Sequence, residues 1–268
     1  MLEKIKVEQA EEMSRIARIS KYCINPFYLA FNGYVESNNG ELLFYERDEI
    51  YRNDFPYIIF PRTKDNAMRA ISTHCTEDDL IRIKKWGITM KRAEQHGTEF
   101  YYRTADFTNP GKPSFASFRK SISTFSRKYE YKILDKYPVK KIMGFLKKWE
   151  YGQEEKNILF EFGSDYTRFC IDNMKKINGK WHFIEINGEL AGFSLSCRLN
   201  DEYWVGVHQK VDYDFKGIGR FLLHQRAKSF QTTPFFTLGT EAKDEGLHQF
   251  KESLHPCREE ARYFVLTE

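Results

Sequence analysis

The chain has 268 residues, 41% hydrophobic and 30% charged, with 42 Lys/Arg against 38 Asp/Glu for a net charge of +4. This composition excludes a disordered chain, leaves room for one large domain or two modest ones, and holds no run approaching the roughly 18 apolar residues of a membrane-spanning helix. The 5 cysteines (Cys23, Cys75, Cys170, Cys197, Cys257) form no C-x-x-C and the 7 histidines no H-E-x-x-H, so neither a disulfide framework nor a metal site is expected.

In chain order, Met1–Glu8 is charged throughout, without a signal-peptide core, which points to the cytoplasm. Phe27–Glu36 and Glu41–Glu46 flank Asn39-Gly40 as strands, and Phe55–Phe60 follows as a third. A helix is expected over Thr76–Trp86, then strands near Ile88–Arg92 and Glu99–Arg103. Turn formers cluster at Asn109-Pro110-Gly111-Lys112-Pro113, marking a linker.

Phe115, Phe118, Ile122, Phe125 and Tyr129 recur at helical spacing, with Arg119, Lys120, Arg127 and Lys128 outside. Tyr129–Leu134 alternates like a strand, and Pro138 opens a helix carrying Val139, Ile142, Phe145, Leu146 and Trp149. Ser164 and Asp165 are N-cap candidates for a helix with Tyr166, Phe169, Cys170 and Met174. The stretch Arg119–Lys148 holds ten Lys/Arg against Glu130 and Asp135 alone, +8 locally and therefore −4 for the remainder. It is either a pair of solvated helix faces or a surface for a polyanion such as tRNA or an anionic lipid.

The period then changes to two. Trp181–Ile186, the hairpin signal Asn187-Gly188, Glu189–Leu199 and Tyr203–Val207 make three meandering strands. They lead into Phe215-Lys216-Gly217-Ile218-Gly219-Arg220 and a helix. Glycines two apart at a helix N-terminus leave backbone N–H groups uncovered and add the positive end of the dipole, so these six residues are the donor- or cofactor-binding candidates. A strand at Phe235–Leu238, a helix from about Asp244 to Leu254 and a strand at Arg262–Leu266 close the chain.

This order of strand, helix, helix, three antiparallel strands, anion loop with helix, strand, helix and strand resembles the GNAT acyltransferase fold. There the donor's pyrophosphate sits on a Q/R-x-x-G-x-G/A loop at this place; Asp214 stands here where Gln or Arg is expected. The first half echoes the order with Pro61-Arg62-Thr63-Lys64-Asp65-Asn66 in place of the glycine loop. The expectation is therefore an α+β protein of two tandem GNAT-like domains, with mixed central sheets flanked by helices: a degenerate one over residues 1–108 and a donor-binding one over 109–268.

A tandem GNAT with one working half resembles the Fem ligases and the C-terminal domain of phosphatidylglycerol lysyltransferases. Three segments are similar to a group of bacterial proteins related to that domain: Gly111-Lys112-Pro113 through the helix Phe118–Phe125; His208-Gln209-Lys210, with Gln209 in place of an acid; and Leu238–Lys251 through Pro256. The resemblance implies transfer of an aminoacyl or acyl group from aminoacyl-tRNA or acyl-CoA to an amine or hydroxyl, with a small-molecule, lipid or peptide acceptor and no metal. It places Lys210 and Lys251 in the aminoacyl pocket. Acyl transfer needs a base and oxyanion stabilisation. The catalytic candidates are Lys251 for the developing charge, His208 as base and Glu241 as a carboxylate past a strand end; Lys210 and Asp244 are substrate-binding candidates. The ordinary alternatives are a surface lysine paired with Glu241 or Glu245, a structural histidine, and helix capping by Asp244. A second class of function is a catalytically inactive module that docks on RNA or an anionic membrane, which makes the protein cytoplasmic or peripheral to the membrane.

Overall fold

The computed structural model describes residues 3–17, 22–38, 40–46, 57–59, 62–68, 71–154, 161–241 and 245–267. By its contacts the chain divides into two units, residues 1–100 with 239–268, and residues 101–238. The tandem division after residue 108 is a proposal about repeated topology and is separate from this division by contacts.

The first unit begins with β1 (Glu3–Lys4) and α1 (Ala10–Ala17), followed by α2 (Pro26–Asn32), β2 (Gly33–Asn38), β3 (Glu41–Glu46) and β4 (Tyr57–Ile59). Phe27–Asn32 is helical where a strand was expected. The Asn25 side chain accepts the Tyr28 N–H and Pro26 occupies the first helical position, two start signals that outweigh the local β propensity. β1 to β4 form an antiparallel sheet in sequence order. α3 (Lys64–Ala67), β5 (Ile71–Cys75), α4 (Glu77–Lys85) and β6 (Met90–Arg103) follow. Thr76 and Asp79 form a reciprocal capping box at the start of α4. The two strands expected over Ile88–Arg103 are one, β6.

The second unit carries α5 (Thr104–Thr108), α6 (Ala116–Lys128), β7 (Tyr131–Leu134), α7 (Val139–Glu154), α8 (Glu161–Asp172), β8 (Lys180–Ile186), β9 (Glu189–Arg198), β10 (Tyr203–Val211), α9 (Ile218–Ser229) and β11 (Phe235–Thr240). Ser164 and Asp165 lie inside α8 rather than at its cap. The strands order as β11-β10-β9-β8-β7. β10 and β11 are parallel with Tyr203–Val205 opposite Phe235–Thr237, and the other neighbours are antiparallel. Asn187 and Gly188 both take positive φ (52° and 82°), the turn that Asn-Gly favours between paired strands. Alternation on β8 sorts the two faces of this sheet. Ile184 and Ile186 join Phe125 of α6 and Phe221 and Leu222 of α9 in one cluster. Trp181 and Phe183 turn to the opposite face, where Tyr137 stacks on Phe183 and Phe145 of α7 meets Phe193.

The chain then returns to the first unit through α10 (Glu245–Glu252) and β12 (Arg258–Thr267). β12 lies between β5 and β6 and pairs antiparallel with β5, Tyr263 opposite Cys75 and Leu266 opposite Ile71. Val265, Cys75, Ile83, Ile88 and Ala67 make the core beneath it.

Candidate functional site

In the second unit β10 carries a bulge between Gly206 and His208. The bulge shifts the side-chain alternation, so that Gly206 and Gln209 both face α9 while His208 and Lys210 face α7 and α8. At Gly206 a Cβ would collide with the Arg226 guanidinium and with Leu238. Arg226, 2% exposed, donates from Nε to Ser196 Oγ at 2.8 Å, from Nη2 to the Leu195 carbonyl at 3.2 Å and from Nη1 to Gln209 Oε1 at 3.2 Å. Gln209 in turn donates to the Gly219 carbonyl at 3.2 Å. This amide, which replaces the acid of the resembling motif, thus ties β10 to the first turn of α9.

The loop itself serves two ends. Ile218 is buried and its N–H bonds to the Phe215 carbonyl at 3.1 Å; Phe215 packs edge-on against Tyr129. These two side chains hold the loop to the core and do not face a donor. Gly217 has φ +90°, and a Cβ there would strike the Ser121 carbonyl of α6. A glycine is therefore required there by packing alone. Arg220 donates to Ser117 Oγ at 2.7 Å, which turns it toward α6. Lys216 is exposed. The N–H groups of Lys216, Gly217, Gly219 and Arg220 make no hydrogen bond among the described residues, at the positive end of a 12-residue helix.

Lys210 is buried at the end of β10, with Nζ 4.0 Å above the Trp149 ring centroid. Burial pushes its pKa down to about 8, and the Glu150 carboxylate pulls the other way. Arg168 of α8 in turn bonds Glu150. His208 packs edge-on against Tyr166, 4.5 Å between centroids, with Nδ1 3.5 Å from Thr167 Oγ1 and Nε2 shut off from solvent. Burial first, and then the charges of Lys210 and Arg226, hold it well below the ordinary histidine range, so it is neutral at pH 7. Lys210, with its pKa near 8, can exchange a proton close to neutral pH, whereas His208 is held in its neutral form.

In the first unit Lys251 is no surface lysine. It is 3% exposed and donates from Nζ to the Gly239 carbonyl at 2.6 Å. Burial lowers its pKa to about 8 against the raising influence of Glu241 and Glu99. Glu241 accepts the Thr98 N–H on both oxygens, at 2.9 and 3.1 Å, and lies 3.5 Å from His248 Nδ1. Glu99 accepts from Arg262 Nε and Nη2 at 2.9 and 2.6 Å and from the Tyr22 N–H at 3.0 Å. Asp244 lies outside the described residues. Arg226, Glu150 and the Glu99–Arg262 pair escaped the sequence reading, in which Gln209 is only a departure from a motif and Trp149 only part of an apolar stripe. Arg226 alone had a usable signal, since it shares the apolar helix face of Leu222, Leu223 and Ala227. Among the described residues no group of three His, Cys, Asp or Glu is arranged to hold a metal, and no helix is long and apolar enough to cross a membrane.

Comparison with known proteins adds the family. No protein of curated function matches by sequence. A conserved protein of unknown function from Bacteroides thetaiotaomicron superposes with a TM-score of 0.82 at 12% identity, covering 100% of this chain and 99% of that one. L-PGS from Bacillus licheniformis gives 0.60 at 14% identity over 87% of this chain and 83% of its own, and FemX gives 0.64 at 8% over 99% and 97%. At these identities the likeness establishes the fold, an α+β architecture of the GNAT type. The family described as phosphatidylglycerol lysyltransferase, C-terminal, matches residues 59–266. With most of its length covered by that match, the chain belongs to the phosphatidylglycerol lysyltransferase C-terminal family, and so to a group of aminoacyl-transferring proteins.

Proposed function

We propose that this protein moves an aminoacyl group from aminoacyl-tRNA to an amine or hydroxyl acceptor. The observation that carries the reading is the set of unbonded N–H groups opening α9 beside a strand that ends in the buried Lys210. Those N–H groups suit a donor phosphate. The acceptor nitrogen or oxygen attacks the ester carbonyl, the new bond forms as the ester C–O bond breaks, and the departing ribose oxygen takes up the proton that the acceptor loses. His208, held neutral, is the group assigned to relay that proton, and Lys210 lines the aminoacyl pocket. Lys251 and Glu241 carry their catalytic assignment as a proposal of its own. The division after residue 108 belongs to the same reading, with a first domain that has lost the donor loop.

Favouring tRNA over acyl-CoA is the exposed charge of the second unit: nine of the ten Lys/Arg of Arg119–Lys148 are exposed, across α6, β7 and α7. A lipid acceptor would bring the protein to the cytoplasmic membrane surface. Thermal shift with charged tRNA, acetyl-CoA and long-chain acyl-CoA tests the donor. Stabilisation by charged tRNA that fades steeply with salt is expected; stabilisation by acyl-CoA alone would move the donor to coenzyme A, and by none of the three would count against transfer. The competing reading, an inactive module for RNA or anionic membrane, draws on Arg220 and Gly217 being committed to α6. It predicts tRNA or vesicle binding without turnover.

A further inference from the structure

The second unit also holds a cleft of about 390 Å³ that the donor loop does not use, lined by Ile133, Leu134 and Asp135 at the end of β7, Lys180–His182 at the start of β8, and Gln225, Lys228 and Ser229 on α9. It lies at the opposite end of α9 from Gly217, about 15 Å along the helix axis at 1.5 Å per residue. β7 is the edge strand and stops at Leu134, opposite Phe183. Lys180, Trp181 and His182 therefore pair with β9 on one side only, and the cleft occupies the place where β7 would have continued.

The walls combine three chemistries. Lys180 and Lys228 are exposed cations at the rim, and Lys136, Lys140 and Lys141 follow β7 directly in the chain. Asp135, Gln225 and Ser229 add hydrogen-bonding groups, and Ile133 and Leu134 an apolar wall. The buried His182 bonds Ser229 Oγ through Nε2 at 2.8 Å, while its Nδ1 has no partner among the described residues. Burial first, and then the charges of Arg226 and Lys180, lower the His182 pKa to about 4, so the ring is neutral at pH 7. At this end of α9 the Ala227 and Lys228 carbonyls accept from the Phe230 N–H and the Lys228 carbonyl also from that of Gln231. A volume of this size suits one small ligand. Two lysines suit a phosphate, an aspartate suits ribose hydroxyls, and an apolar wall suits a base.

We propose that this cleft is a nucleotide-binding subsite, which takes one phosphate between Lys180 and Lys228 with the nucleoside against Asp135, Gln225 and Leu134. The nucleotide is either free or an unstacked residue of an RNA strand lying along the basic β7 edge. The RNA version rests on the tRNA reading above. Binding is measured directly, however, so the cleft can fail while transfer holds, and transfer can fail while the cleft binds.

The test is calorimetry with AMP, CMP, GMP, UMP, adenosine and inorganic phosphate, together with anisotropy of a labelled single-stranded RNA of about six nucleotides, within the range such sites cover. At least one mononucleotide is expected to bind more tightly than adenosine or phosphate. Lys180→Glu with Lys228→Glu is expected to weaken it about tenfold or more. Ser229→Phe, which fills the cleft without changing charge, is expected to do the same, and unaltered unfolding curves would show that the variants fold. Tighter binding of the oligomer, with displacement by the mononucleotide, assigns the site to RNA. Binding of the mononucleotide alone assigns it to a free nucleotide. The proposal is overturned if neither ligand binds, if Ser229→Phe binds like wild type, or if the control Lys175→Glu with Lys176→Glu weakens binding as much as the cleft variants do.

Discussion

Replacement of Lys251 by methionine gives a sharp test of the buried network in the first unit. The lysine is buried, and its pKa falls from 10.5 to about 8 because burial penalises the ammonium more than Glu241 and Glu99 favour it. The folded value lies below the unfolded one, so the unfolded chain binds the extra proton between about pH 8 and 10.5, and stability rises with pH across that window. The full shift corresponds to about 3 kcal/mol, of which about 2 kcal/mol is recovered between pH 7 and pH 10. Lys251→Met removes the penalty at pH 7 and also removes the Nζ hydrogen bond to the Gly239 carbonyl, which costs about 1–3 kcal/mol. The two nearly offset, so at pH 7 the variant is expected within about 2 kcal/mol of wild type. Urea unfolding of both proteins at pH 7 and pH 10 checks the difference of differences, in which Lys210 and the tyrosines cancel. The wild type should gain about 2 kcal/mol more than the variant on going to pH 10. Equal gains in the two proteins would refute the burial argument for Lys251.

Glu99→Gln removes the carboxylate that accepts twice from the fully buried Arg262, whose Nη1 also lies 2.7 Å from Glu260; a loss of about 2–4 kcal/mol in denaturant unfolding is expected, and a loss below about 1 would show the pair to be dispensable. Gly217→Ala meets both a positive φ and the Ser121 carbonyl and should cost about 2–4 kcal/mol. Gly219→Ala, whose nearest neighbour is Gln209 Nε2 at 3.4 Å, should leave thermal stability unchanged or raised by up to about 1 kcal/mol. Any loss of donor binding in Gly219→Ala is then local to the loop. Of the cysteines, Cys257 is exposed while Cys23, Cys75, Cys170 and Cys197 are buried, and burial raises the Cys170 pKa further. Native protein should accordingly give one fast thiol with an aromatic disulfide reagent and the rest only on unfolding; two or more fast thiols would contradict the packing.

The elements closest to the sequence expectation are those written by local chemistry. The Asn187-Gly188 turn sets Ile186 opposite Glu189, and the apolar stripe of α6 lands on α9 through Phe125 and Phe221. Where two local signals conflicted, the cap prevailed, as at Asn25-Pro26. The site was less legible because its decisive contacts are long-range. Glu241 bonds Thr98 across 143 residues, and Arg262 bonds Glu99 across 163; no spacing rule links them. The bulge after Gly206 is equally silent in the sequence. Without it, simple alternation would put Gly206, His208 and Lys210 on the face of Arg226. Lys210 and Lys251 were chosen by motif, whereas what makes them chemically distinctive, their burial and lowered pKa, is a property of the packed structure.

Aminoacyl transfer by this protein is the step on which the proposed function rests. It is tested most directly by incubating the full chain with charged tRNA carrying a radiolabelled amino acid and a panel of lipid, peptide and small amine acceptors. Label should move into one acceptor class faster than the ester hydrolyses unaided, and this transfer should fall in Lys210→Met while the variant stays folded. Release of label no faster than spontaneous hydrolysis with every acceptor would contradict the account and leave the RNA- or membrane-binding module in its place.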